Sequence, residues 1–217
     1  MSDDLSAFLA RARGAAATAR LVRAAEPIPL ADEGVRWALE AVRGRLVELS
    51  ASGAVATLSA AIELVGEAQR AGEPVGWIAL RNATFYPPDV ADSGIDLAAL
   101  VVVRVVCATT AARAAERLLR SGAFGLVVLD LAGASEVDVP TPHQGRLVSL
   151  AQAHDAAVVC LTDKPADAAS LGSLVSLRAE ALRVSEPTRA ITLRALKDKR
   201  RGPGWTASSA RRGPAGL

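Results

Sequence analysis

The stretch Gly44-Arg45-Leu46-Val47-Glu48-Leu49-Ser50-Ala51-Ser52-Gly53-Ala54-Val55-Ala56-Thr57-Leu58 decides how the rest of the chain is read. Leu46, Val47 and Leu49 predict a short buried strand over Arg45–Leu49. Small residues around Ser52-Gly53 predict a tight turn. Thr57–Arg70 then places Leu58, Ala61, Ile62, Val65 and Ala68 at helical spacing. Strand, turn and helix in this order make a phosphate cradle, because backbone N–H groups at the turn are aimed by a helix N-terminus. A cradle for a nucleoside triphosphate also needs a lysine for the outer phosphates and a hydroxyl for the metal. Here the lysine position falls near Val55, the loop is about two residues short of that pattern, and no lysine precedes Lys164. Residues Ser50, Ala51, Ser52, Gly53, Ala54, Val55, Ala56 and Thr57 therefore read as a degenerate loop, a structural turn with no bound cofactor.

Working outward, the 217 residues suffice for one α/β domain with additions. Apolar residues make up 51% and aromatics only 3%, so Ala, Val and Leu carry the core. That composition favours helices packed on a Val/Leu-rich sheet over an aromatic-rich all-β fold. Apolar runs such as Ala98–Val103 are interrupted by Arg104 and are too short to span a bilayer. Asp3 and Asp4 argue against a leader peptide, so the expected location is cytoplasmic. Cys107 and Cys160 lie in or beside apolar runs and read as two reduced core thiols. With no Cys/His cluster, no metal site is expected. His143 and His154 flank one predicted helix, with no partner by spacing.

Strands and helices alternate along the middle of the chain. Asp32 is placed to cap a helix that runs to Val42 and stops at Gly44. Gly72 is placed to end the Thr57–Arg70 helix. Strands follow at Val75–Leu80, Leu100–Val106, Leu126–Leu129 and Ala157–Leu161. Helices are expected from Thr109 or Thr110 to Leu119 and over Gln144–His154, with a short helical turn at Asp89–Asp92. This alternation implies a central, mostly parallel sheet flanked by helices. Beyond Leu161 the pattern changes: Thr162–Ser173 reads as a loop. Leu174–Val184 and Ala190–Ala195 read as a β-hairpin around Ser185-Glu186-Pro187-Thr188.

The ends differ from the middle. Residues 1–30 comprise a predicted helix over 3–25 and an extended link, Glu26-Pro27-Ile28-Pro29. That helix is placed either to pack on its own domain or to exchange onto a neighbouring subunit or partner. Residues 31–200 form the core. Residues 201–217 hold four Gly and two Pro, with Trp205 and Leu217 as the only large apolar groups, and are expected to be disordered. From Lys197 onward six basic residues face one acid, a local charge of +5 against −3 for residues 1–196. Lys197, Lys199, Arg200, Arg201, Trp205, Arg211 and Arg212 are thus candidate contacts to a protein partner or to DNA.

Several landmarks in this order resemble the RecA-type recombinase core. Gly44-Arg45-Leu46-Val47-Glu48 enters the phosphate loop and Glu67-Ala68-Gln69-Arg70-Ala71-Gly72 closes its helix. Gly94-Ile95-Asp96-Leu97-Ala98-Ala99-Leu100 precedes the third strand. Leu119-Arg120-Ser121-Gly122-Ala123 leads into Val127-Val128-Leu129-Asp130, the Walker B position. Within that superfamily the chain is most similar to the ImuA group of bacterial mutasome accessory proteins. The residues that carry this likeness are Ile78–Pro88, Val101-Val102-Val103-Arg104 and the exit Lys197-Asp198-Lys199-Arg200-Arg201-Gly202.

The resemblance implies a RecA-like core with a C-terminal β-hairpin, and a role in SOS-induced translesion DNA synthesis. It implies binding to an ImuB-like inactive Y-family polymerase homologue and to RecA, an indirect link to an error-prone C-family polymerase subunit, and association with the nucleoid. It also locates departures. The glutamate that activates water in a RecA-type ATPase corresponds to about Arg81, which cannot act as a base. Asp130 keeps the Walker B carboxylate but reads more readily as a strand-end acceptor. The loops that bind DNA in RecA correspond to Leu131–Pro142 and Thr162–Ser173, where Lys164 is the one basic residue. No catalytic residue and no enzymatic activity is expected. The alternatives are a divergent ATPase, with Arg45 or Arg81 standing in for the lysine, and a single-strand DNA-binding protein acting through the tail.

Overall fold

The computed structural model describes residues 34 and 36–210, apart from 53–55, 82, 84, 92, 135–136 and 185–189. The expected N-terminal helix, its link, the Asp32 cap, Gly53–Val55, the 185–188 turn, Arg211 and Arg212 lie outside the described residues. From Gly34 onward the elements run α1 (Leu39–Val42), β1 (Arg45–Ser50), α2 (Thr57–Arg70), β2 (Val75–Leu80) and α3 (Pro87–Ala91). After a 3₁₀ turn at Leu97–Ala99 come β3 (Leu100–Val105), α4 (Ala108–Arg120), β4 (Leu126–Asp130), α5 (Thr141–Ala153) and β5 (Ala157–Thr162). The chain then forms β6 (Leu177–Val184), β7 (Ala190–Asp198) and β8 (Thr206–Ala210).

Eight strands form one sheet in the order β3-β2-β4-β5-β1-β6-β7-β8. The pairs from β3 to β6 are parallel, while β6-β7 and β7-β8 are antiparallel. The mostly parallel sheet flanked by helices is what the alternation of elements predicts, and with its C-terminal hairpin it is consistent with the RecA-like core that the resemblance implies. Buried β strands need cover on both faces. Val47, Leu49, Trp77, Val128 and Val159 pack with α2 on one face. Leu46, Ile78, Val127, Leu129 and Val158 pack with α4 and α5 on the other. The alternation of Leu46 and Val47 between two cores is the two-residue period of a strand covered on both sides.

Two glycines do positional work. Gly72 takes φ +78° directly after α2, the left-handed C-cap conformation expected there. Gly172 lies where a Cβ would come within 2.4 Å of Oε1 of the buried Gln144, so any larger residue would displace the Gln144 amide.

The structure departs from the sequence reading at several points. Residues 201–210 are not without structure: β8 pairs along β7 from Arg194↔Thr206 to Ala190↔Ala210. Its turn gains order from Gly202 N–H on the Asp198 carbonyl and Gly204 N–H on the Ala195 carbonyl, both at 2.9 Å. Composition could not reveal this, because Thr206-Ala-Ser-Ser-Ala210 brings almost no hydrophobic mass of its own and borrows a completed sheet. Cys160 is a core thiol, but Cys107 is exposed as the residue before α4. His143 is not without a partner: it is buried against Glu116 of α4, with Nδ1 to Oε1 at 2.5 Å.

Candidate functional site

The degenerate loop lies at the carboxyl end of β1, where open α/β sheets bind their ligands. Ala51 and Ala56 are buried and Ser52 is exposed. The backbone N–H of Ala56, immediately before α2, donates to the Ala181 carbonyl of β6 at 3.0 Å. This donor at the end of the turn is thus committed to the sheet. Thr57 is buried, and no side chain caps α2.

A buried ionic network sits beside the loop, one strand turn back. Glu48 of β1 is fully buried and lies in register with Cys160 of β5 and Arg178 of β6. Its Oε1 accepts from Thr162 Oγ1 at 3.0 Å and from Lys164 Nζ at 2.7 Å. Its Oε2 accepts the Leu171 N–H at 2.8 Å. Arg178, also buried, donates from Nε to Ser50 Oγ at 3.1 Å and through its terminal nitrogens to the carbonyls of Ala168 and Pro165. A buried carboxylate without such partners would be costly. Here the partners come from the loop that follows β5, so neutralising Glu48 and fixing that loop are one event. Gln144 adds a bond from Nε2 to the Leu171 carbonyl at 3.1 Å, and Lys199 Nζ donates to the Ser173 carbonyl at 2.6 Å.

The sequence signals this network only weakly. Glu48 looks like the polar member of an alternating strand, and its partners lie 114 or more residues away. Its one legible signal is a carboxylate between the apolar residues Val47 and Leu49 of a buried strand. The network also changes how Lys164 is read. The single cation of the two loops corresponding to RecA's DNA-binding loops is tied to Glu48 and to the Ala169 carbonyl. Outward, the loop after β5 exposes Asp163 and Asp167, while the loop after β4 exposes Asp138. Such a surface repels a phosphate backbone.

Asp130 ends β4 and is buried. Burial pushes its carboxyl up to about 6, and Asp163 adds to the rise. The Ala132 N–H, the Trp77 indole and Arg104 oppose it. The indole N–H of Trp77 lies near this carboxylate without meeting hydrogen-bond geometry, and its ring stacks on Phe85 at 4.1 Å. Asp163 turns its own carboxylate to the Gly133 N–H at 2.5 Å.

Neither arginine considered as a lysine substitute is placed for that task. Arg45 is at the opposite end of β1, roughly 16 Å from Ser50 at about 3.3 Å per residue. It is buried there in an ion pair with Asp198 at 2.6 Å. Arg81 is exposed at the end of β2, and β4 and β5 stand between it and β1, a span of roughly 14 Å.

Where it is described, the basic exit is mostly at the surface: Lys197 is partly buried, whereas Lys199 and Arg200 are exposed although each also meets a backbone carbonyl. Lys197 approaches Ser170 Oγ at 3.5 Å, and Arg200 donates to the Arg43 carbonyl at 3.2 Å. Trp205 packs half-buried on the core and donates its indole N–H to Asp198 Oδ2 at 3.0 Å. It is a core-side residue of the β7-β8 turn and not a free anchor. Arg201 is exposed.

Among the described residues, no group of three or more His, Cys, Asp or Glu side chains is placed to hold a metal ion. None of their helices is long and apolar enough to cross a membrane.

Comparison with known proteins agrees with the fold. A RecA protein of Nocardioides sp. (strain ATCC BAA-499 / JS614) is 37% identical over 89 residues, which cover 41% of this chain. The match spans 25% of that protein's length. No protein-family model matches the chain. The chain is therefore RecA-like in architecture and, over that stretch, in sequence.

Proposed function

We propose that the chain is a RecA-like adaptor without nucleotide turnover, acting in SOS-induced, mutagenic translesion DNA synthesis. In this reading it binds an ImuB-like inactive Y-family polymerase homologue and RecA, and through them serves an error-prone C-family polymerase subunit. The observation that carries the non-catalytic part is Lys164. It follows β5 at the carboxyl end of the parallel strands, and its ammonium lies 2.7 Å from the buried Glu48. The loop has no lysine of its own, the Ala56 N–H is spent on Ala181, and Arg45 and Arg81 are out of reach. A triphosphate at this loop would meet the exposed carboxylates of Asp163 and Asp167, with Lys164 already paired to Glu48.

The mutasome part rests on the ordered ImuA-like segments together with the RecA match. DNA binding through the loop after β5, as distinct from the tail, is disfavoured by the same geometry, since that loop presents carboxylates outward and its lysine is paired with Glu48.

Thermal unfolding with and without Mg-ATP tests the first part. A ligand of the native state raises Tm, so an unchanged Tm at millimolar nucleotide is expected. A concentration-dependent rise would establish a working nucleotide site. Co-purification of the full chain with an ImuB-like protein and with RecA tests the second part. Capture of either is expected, and capture of neither overturns the assignment.

A further inference from the structure

Between α4 and α5, three charged or titratable side chains converge on one ring nitrogen. His143, in the first turn of α5, and Glu116 of α4 are both buried. His143 Nδ1 lies 2.5 Å from Glu116 Oε1 and 2.9 Å from Nη2 of Arg146, three residues along its own helix. Arg146 Nε lies 3.0 Å from the same Glu116 oxygen. A guanidinium always carries its charge and only donates, and a carboxylate only accepts. A ring nitrogen that holds a proton donates and has no lone pair to offer. One without a proton accepts and has nothing to donate. Nδ1 therefore cannot serve both neighbours at once. With a proton it suits Glu116 and opposes Arg146. Without one it suits Arg146 and turns a lone pair on the carboxylate.

Among the described residues, the other ionisable groups on the elements around this cluster are exposed or already committed. On α4, Arg113 and Arg120 lie one turn either side of Glu116 and are exposed, as is Arg117. Before α5, Asp138 is exposed. α5 also covers β1 and β5. On β1, Glu48 is met by Lys164, Thr162 and the Leu171 N–H, and Arg45 is paired with Asp198. β5 brings the buried thiol of Cys160. Burial alone would raise the Glu116 carboxyl, but His143 and Arg146 outweigh it and hold it below the ordinary glutamate value. Glu116 thus stays a carboxylate where histidine changes charge, and the imidazole is the member of the cluster that titrates.

We propose that Glu116, His143 and Arg146 form a pH-sensitive clamp between α4 and α5, set by the proton on His143 Nδ1. With that proton in place, a buried bond from His143 to Glu116 joins the two helices. Arg146, whose side chain is 47% exposed, then turns its Nη2 away to solvent. When the proton leaves to solvent, His143 accepts from Arg146 on its own helix. Glu116 keeps only Arg146, a pair open to water and worth little. The tie between the helices is therefore tighter in acid. The clamp needs neither nucleotide nor partner, so it stands or falls apart from the adaptor reading.

Imidazole nitrogen NMR of the full chain tests it, with His154, exposed at the end of α5, as the internal control. From about pH 5 to about pH 8, the range in which histidine changes charge, His143 is expected to lose its Nδ1 proton and keep the one on Nε2. Backbone amide signals of α4 around Glu116 should shift over the same range. His143→Gln places an amide there that donates to Glu116 at every pH, so the α4 shifts should be lost while His154 titrates as before. Arg146→Met alters a half-exposed side chain, and the neutral ring should then keep its proton on Nδ1, because Glu116 alone remains to be served. A neutral His143 that holds its proton on Nδ1 in the unmodified protein overturns the proposal. So does a His143 ring that does not change across the range, or an α4 response that persists in His143→Gln.

Discussion

Lys164 Nζ lies 2.7 Å from Glu48 Oε1, and the Glu48 side chain has no exposed surface. The lysine is a structural counter-ion, so its loss should be felt in stability and not in nucleic-acid affinity. Lys164→Ala leaves a buried carboxylate short of one partner, although Thr162 and the Leu171 N–H remain. Breaking a buried pair costs about 3 kcal/mol at the low end of such measurements. Urea unfolding should register that loss, while anisotropy with a labelled single-stranded oligonucleotide should show no change. A clear fall in oligonucleotide affinity with unaltered stability would instead make Lys164 a nucleic-acid contact.

Arg45 and Asp198 make the second buried pair, at the other end of the sheet. Asp198 Oδ1 also accepts the Arg200 N–H at 2.8 Å, and Oδ2 accepts the Trp205 indole N–H at 3.0 Å. Burial alone would raise the Asp198 carboxyl, but these three donors outweigh it and hold it below the ordinary aspartate value. A depressed carboxyl stabilises the fold above the unfolded value, about 3.9, and that contribution is lost as pH falls through the native value. Asp198→Asn should therefore cost about 3 kcal/mol near neutrality. The gap to the parent should narrow as pH is lowered below about 4. Because Trp205 is one of the donors, its fluorescence should shift in the native state of the same variant.

Asp130 carries the opposite sign. Its carboxyl is raised to about 6 by burial, so the folded protein holds a proton more tightly than the unfolded chain does. Stability linked to this group is complete at low pH. It declines between about 4, the unfolded value, and about 6. Asp130→Asn removes the cost of keeping a charge there and should stabilise the protein by about 3 kcal/mol above pH 7. The gain should vanish near pH 4. A destabilised Asp130→Asn protein at pH 7 would mean that the carboxylate has a partner that the asparagine cannot serve.

The fold was largely legible because its signals are periodic and local. β1, β2, β4 and β5 lie within a residue or two of the runs expected from Leu, Val and Ile, since a strand buried on both faces has to be apolar throughout. What stayed hidden depends on contacts between distant parts of the chain. Glu48 meets Leu171, His143 meets Glu116, and β8 is a strand only because β7 offers an edge. The absence of a loop lysine could be read directly, whereas the partly buried placement of Lys164, Lys197 and Trp205 could not. A charge run reports composition, and only the fold reports where each charge is spent.

The two cysteines separate these cases by a simple measurement. Cys107 is exposed, and its Sγ lies 3.2 Å from Thr110 Oγ1. That hydrogen bond, with backbone donors at the start of α4, lowers the thiol below its ordinary value. Cys160 is buried in β5 beside Glu48, and burial raises its thiol far above the ordinary range. Thiolate is the reactive form, so the two should differ in both access and chemistry. In native protein a maleimide should label one thiol promptly, and peptide mapping should assign it to Cys107. The second should react only as the protein opens, at a rate that rises with urea in step with unfolding. Lys164→Ala should accelerate the Cys160 reaction and leave Cys107 unaffected, because the lost ion pair anchors the strand region that hides Cys160. Prompt labelling of both thiols in the unmodified protein would contradict the buried placement of β5.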